Sequence, residues 1–103
     1  CHIRVLSKKC DNTRPRACVE WIIARHRVRG WHAAWLRRVP ACESGWDPYA
    51  RNPSGSSGLF QFLPSTWSTT PYSRRSIWSA RWQSAAARWM VVVAGRAREW
   101  VCT

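Results

Sequence analysis

The chain is poor in acid: five aspartates and glutamates stand against 17 lysines and arginines in 103 residues, a formal charge of +12. That imbalance favours a polyanionic partner, whether nucleic acid, an anionic membrane face or an anionic cell wall, and charge alone does not choose among them. No run is long and apolar enough to span a bilayer, which excludes a transmembrane helix. No CxxC pair occurs among the five cysteines, and their spacing fits no common zinc pattern, so disulfides are expected rather than a metal site. No G-x-S-x-G elbow is present, and the histidines, His2, His26 and His32, all lie near the N-terminus. A serine or cysteine nucleophile is therefore not supported. No zinc-finger or RNP-like motif accompanies the positive charge, which weighs against a nucleic-acid binder. No repeat or low-complexity segment appears. No signal peptide is visible and the first residue is Cys, so a processed form or an excised piece of a larger protein is expected.

What is present fits one small domain near the size at which cross-links help. Nine tryptophans are many for this length. Most should pack in the core, and others are free to line a groove, where flat rings stack on sugars or bases. Cys1, Cys10, Cys18, Cys42 and Cys102 form an odd set, leaving one cysteine for a partner elsewhere or a free thiol. Two of the first three are expected to bridge, as Cys10–Cys18 or Cys1–Cys18.

Residues 1–17 read as an irregular arm tethered by a disulfide, and residues 18–103 as the main domain. Thr13 and Pro15 mark a helix start. Cys18, Val19, Ile22, Ile23 and His26 recur at helical spacing up to Gly30. A second helix starts near Trp31, with Trp31, Ala34, Trp35, Val39 and Cys42 as its apolar stripe. Pro40 is expected to kink or break it, and Gly45 to end it. Residues 46–58 are loop, Leu59 to Phe62 could be extended, and Pro64 to Trp67 is one helical turn. The last helix runs from about Ile77 to Ala94, with Trp78, Trp82, Ala85, Trp89 and Val93 on one face and Gly95 as cap.

Glu43 is the acid that needs explaining. It lies between Cys42 and the Ser44-Gly45 turn, at the end of a helical segment. A helix C-terminus carries partial negative charge, which favours the neutral, proton-donating form of a carboxyl there. Glycoside hydrolysis usually uses two carboxylates. Asp11 and Glu20 lie in the N-terminal part, Glu99 at the far end, and Asp47 beside Pro48 in turn chemistry. One acid alone suggests that the substrate supplies the missing nucleophile.

Glu43-Ser44-Gly45 followed by Ser57-Gly58-Leu59-Phe60-Gln61-Phe62-Leu63-Pro64-Ser65-Thr66-Trp67 resembles the Glu-Ser and Gly-Leu-Met-Gln signatures of lysozyme-like soluble lytic transglycosylases. Cys42-Glu43-Ser44-Gly45 and Trp100-Val101-Cys102 are also similar to resuscitation-promoting-factor catalytic domains. The resemblance implies a mainly α, goose-lysozyme-like helical fold with a groove, at most a small β element, and disulfide staples. It implies that Glu43 is the catalytic acid, protonating the oxygen between N-acetylmuramic acid and N-acetylglucosamine and then acting as base while a 1,6-anhydro ring closes. Ser44, Gln61, Phe60, Trp67, Tyr72 and Gln83 fall on substrate-binding positions, with core packing the alternative for Trp67. Phe60 stands where the family usually has Met. The family's tyrosine further along the last helix has no match, since Trp89 and Met90 occupy that region. The resemblance also implies a Cys42–Cys102 disulfide, closing a loop of about sixty residues and worth roughly 4 kcal/mol.

The implied activity is a peptidoglycan lytic transglycosylase, preferred to a hydrolase because no second carboxylate is evident. The alternatives are a lysozyme-type muramidase and a non-catalytic cationic wall-binding module. Peptidoglycan strands and anionic wall polymers are the expected partners, with no nucleic acid, metal or cofactor, and the chain is expected to be a monomer. The expected location is outside the cytoplasm, at the cell wall or with a bacteriophage virion or endolysin.

Overall fold

The computed structural model describes residues 10–100. Helix α1 spans Pro15–Arg25, α2 Gly30–Ser44, α3 the single turn Pro64–Trp67, and α4 Ala80–Arg88. A π-helical turn at Trp89–Val93 prolongs α4, and a 3-10 turn at Ala97–Glu99 follows. Helix α1 packs on α2 and α4, and α2 also meets α4. The β content among the described residues is two isolated antiparallel bridges, Arg51 with Ser57 and Ser57 with Phe62. A mainly helical fold with a small β element in the central loop is what the sequence led us to expect.

Pro15 starts α1 at a position where its missing N–H costs nothing. The arm before it is tied down twice. Cys10 and Cys18 form a disulfide. The Asn12 amide donates to the Trp78 carbonyl at 2.8 Å and accepts the Ala80 N–H at 2.8 Å, so a residue of the arm satisfies the first turn of α4. Helix α1 stops at Arg25, earlier than expected. Arg27 already has φ 51°, and Gly30, with φ 59°, opens α2 instead of ending α1.

Helix α2 runs unbroken through Pro40 to Ser44. The Pro40 ring lies fully buried, so the packing holds the turn that its missing donor weakens. The buried stripe is Ala33, Trp35, Leu36, Val39 and Pro40. Trp31, Ala34 and Cys42 are exposed, which shifts the apolar face from the one expected. Gly45 ends the helix as predicted, in the left-handed conformation that glycine adopts without strain.

The core gathers Trp35, Phe60, Phe62, Trp67 and Trp100 with aliphatic residues of all the longer helices. Trp35, Phe62 and Trp100 meet edge to face, with Trp100 5.0 Å from Trp35 and 5.3 Å from Phe62 between ring centroids. Helix α4 turns Gln83, Ser84, Ala86 and Ala87 inward, and Met90 and Val91 continue that face. Trp78, Trp82 and Trp89 are only half-buried and Val93 is exposed, so the expected tryptophan face is the flank of this helix.

Candidate active site

The residues Gly58-Leu59-Phe60-Gln61 form a tight four-residue loop, not an extended run. Ser57 and Phe62 close it with paired backbone hydrogen bonds of 2.9 and 3.0 Å. Leu59 and Phe60 are fully buried beneath it. Side chains and backbone from elsewhere in the fold hold this loop through several hydrogen bonds. The Phe60 N–H donates to Gln83 Oε1 at 2.8 Å. Trp100 Nε1 donates to the Phe60 carbonyl at 2.7 Å. Ser44 Oγ donates to the Leu59 carbonyl at 2.7 Å. Gln61 Nε2 donates to the carbonyls of Gly58, at 2.9 Å, and Ala50, at 3.0 Å.

Gly58 is required here on two counts. Its φ is 84°, and a Cβ at this position would stand 2.4 Å from Gln83 Nε2. Gln83 reaches so close because its amide also donates to the carbonyls of Ser57, at 2.9 Å, and Ile77, at 2.7 Å. It is the peg around which the loop is wound.

The loop faces the end of α2. Glu43, half-buried, lines a cavity of about 240 Å³ together with Gln61, Phe62, Thr66, Glu99 and Trp100. Ser44, the next residue, ties the end of α2 to the loop. Glu43 and Gln61, taken from separate parts of the sequence, thus line one cavity.

The remaining site expectations fall elsewhere. Phe60 and Gln83 are 0% exposed, which corrects the expectation that they contact substrate: Phe60 packs near Trp35, and the hydrogen bonds of Gln83 are spent on the backbone. Trp67 is buried against Phe62, with its Nε1 donating to the Arg75 carbonyl at 3.1 Å. Tyr72 stacks on Trp82 and does not line the Glu43 cavity. Cys42 is disulfide-bonded; its expected partner, Cys102, lies outside the described residues.

Sequence reasoning missed two groups at this cavity. Glu99, at the far end of the sequence, lines the same cavity. The Arg96 guanidinium pairs with it and also donates to Thr69 Oγ1 at 3.2 Å. Trp100 supplies an indole floor anchored on the loop. The signal for both was their nearness to the Trp100-Val101-Cys102 end, which a disulfide back to Cys42 would carry to the site. Among the described residues no group of three or more His, Cys, Asp or Glu side chains is placed to hold a metal ion. No described helix is long and apolar enough to cross a membrane.

A family model for the transglycosylase SLT domain matches residues 20–86, which includes Glu43, the loop and most of α4. Searches of curated proteins and of solved structures returned no match.

Proposed function

The chain belongs to the transglycosylase SLT domain family, and from that premise we propose that it cleaves the β-1,4 bond between N-acetylmuramic acid and N-acetylglucosamine in peptidoglycan, with 1,6-anhydro products. Family membership makes it a lysozyme-like enzyme whose substrate is peptidoglycan. The observation that carries the finer reading is the cavity shared by Glu43, Gln61 and Trp100.

Glu43, in its neutral form, gives its proton to the glycosidic oxygen as the bond to the muramic acid C1 breaks. The substrate's N-acetyl oxygen supports the cationic centre that develops. Glu43, now ionised, takes the proton of the 6-hydroxyl while that oxygen closes on C1. One carboxyl thus gives a proton and recovers one, and no water is consumed. Gln61 is held by two carbonyls through its Nε2, which leaves its amide oxygen as an acceptor beside the sugar. Trp100 and Phe62, both buried in the core, close the cavity from below.

Glu99 gives the hydrolase reading its one specific support, because a second carboxylate on the cavity could activate water. The ion pair with Arg96 occupies it as a structural partner. Product analysis on purified peptidoglycan separates the two: 1,6-anhydromuramic ends support the lyase, and reducing ends replace it with the hydrolase.

A further inference from the structure

A second cavity, of about 430 Å³, lies on the other side of α3 from Glu43. The division follows the chain residue by residue. Ser56, Leu63 and Thr66 line the Glu43 cavity, while their neighbours Ser57, Pro64 and Trp67 line the second. Two cavities therefore share one thin wall, the α3 turn and the strand-like pair before it.

The chemistry of the second cavity differs from that of the first. Arg51 and Arg75 both line it, with Trp67, Trp78 and Ser73, and none of its lining residues is a carboxylate. Arg75 is held in place. Its guanidinium stands 4.5 Å from the Trp82 ring centroid, its N–H donates to the Tyr72 carbonyl at 2.8 Å, and its carbonyl accepts the Trp67 indole N–H. Arg51 is fixed at its backbone by the bridge to Ser57. Two arginines lining one cavity, with no carboxylate among its lining residues, make it a receptor for an oxyanion, since the planar guanidinium fork matches carboxylate and phosphate.

We propose that this Arg51–Arg75 cavity is an oxyanion subsite that accepts a charged group borne by the wall polymer whose glycan lies at Glu43. This rests on the proposed peptidoglycan activity for the identity of the polymer, and on the cavity alone for the anion. Two sources carry the chemistry: a free carboxylate of the peptide stem on muramic acid, and a phosphate of an anionic wall polymer. Engagement here would hold the strand in register across α3 and make cleavage depend on what the glycan carries.

The test has a binding arm and a turnover arm, both with the full chain. In the first, tryptophan indole NMR signals are followed during titration with alanyl-γ-glutamate and, separately, with inorganic phosphate. Shifts at Trp67 and Trp78 are expected with at least one, and the responsive ligand names the source. Arg51→Gln and the double variant Arg51→Gln/Arg75→Gln should weaken that response by roughly tenfold or more, while Glu43→Gln leaves it intact. In the second arm, kcat/KM is compared on intact peptidoglycan, strands stripped of peptide and strands stripped of phosphate polymer. The arginine variants should lose activity on intact walls and match wild type on strands lacking the responsible group. No indole response to either anion, or equal loss on every substrate, overturns the subsite. Glu43→Gln cleaving as wild type would overturn the proposed activity and leave the binding result standing.

Discussion

Ser44 Oγ donates to the carbonyl of Leu59 at 2.7 Å, joining the residue after Glu43 to the middle of the loop that carries Gln61. The same hydroxyl lies 3.1 Å from the Pro40 carbonyl within its own helix. This bond fixes the end of α2 against the loop, so the positions of Glu43 and Gln61 depend on each other. Replacing Ser44 with alanine removes the donor and leaves the Leu59 carbonyl without it. The expected cost is about 1–2 kcal/mol of stability, read as a lower thermal midpoint. Activity should fall further than the lost stability explains, through kcat more than KM. A Ser44→Ala enzyme with wild-type kcat would show that the tie does not position Glu43.

Gln83 and Gly58 form a matched pair. Substituting Gln83 with leucine strands the Phe60 N–H and the two carbonyls that the amide now serves. The loss should be about 3–5 kcal/mol, seen in denaturant unfolding. Gly58→Ala should be similarly harmful, since its φ is positive and the added carbon meets the Gln83 amide. Because both changes break one contact, the double variant should cost less than the sum of the singles. Full additivity would mean that the two residues act separately.

Much of this arrangement was legible in local chemistry. Pro15, Gly45, Gly95 and the Pro64–Trp67 turn act within a few residues of themselves, and each does in the structure what its residue type suggests. The misreadings came where a distant partner decides. Leu59 to Phe62 has the composition of a strand, but Gln83 and Trp100, 23 and 40 residues from Phe60, curl it into a loop. Trp31 and Cys42 counted as apolar in the α2 stripe, whereas packing on α1 and α4 selects Ala33, Leu36 and Pro40. Glu43 and Gln61, both singled out from local motifs, line one cavity. Glu99 was not singled out, because its return to the cavity is a property of the whole chain path.

Glu99 makes the clearest test of that omission. If it only pairs with Arg96 at the cavity rim, Glu99→Gln should keep 1,6-anhydro products and lower the rate by no more than a few-fold, as exposed ion pairs contribute little. Mass spectrometry of the digest checks this. A switch in product type, or a loss matching that of Glu43→Gln, would give Glu99 a direct catalytic part.

His26 couples stability to pH. Burial lowers its pKa below the ordinary histidine value, and the positive charges of Arg88 and Arg25 add to the effect. The folded state therefore prefers neutral His26, and the unfolded chain takes up a proton at higher pH. The contribution is present above the unfolded pKa, near 6.5, and is lost as pH falls toward the lower folded value. Thermal midpoints should decline on acidification through that window, and His26→Gln should flatten the decline. An unchanged pH profile in the variant would assign the effect to other groups.

The central claim is that Glu43 moves the proton in both halves of the reaction. Turnover of purified peptidoglycan by Glu43→Gln beside wild type, with matched thermal midpoints, tests it most directly. The account predicts a fall of about 10²–10⁴-fold or more in kcat with glycan binding retained. A folded Glu43→Gln protein that releases 1,6-anhydro products at the wild-type rate would contradict it.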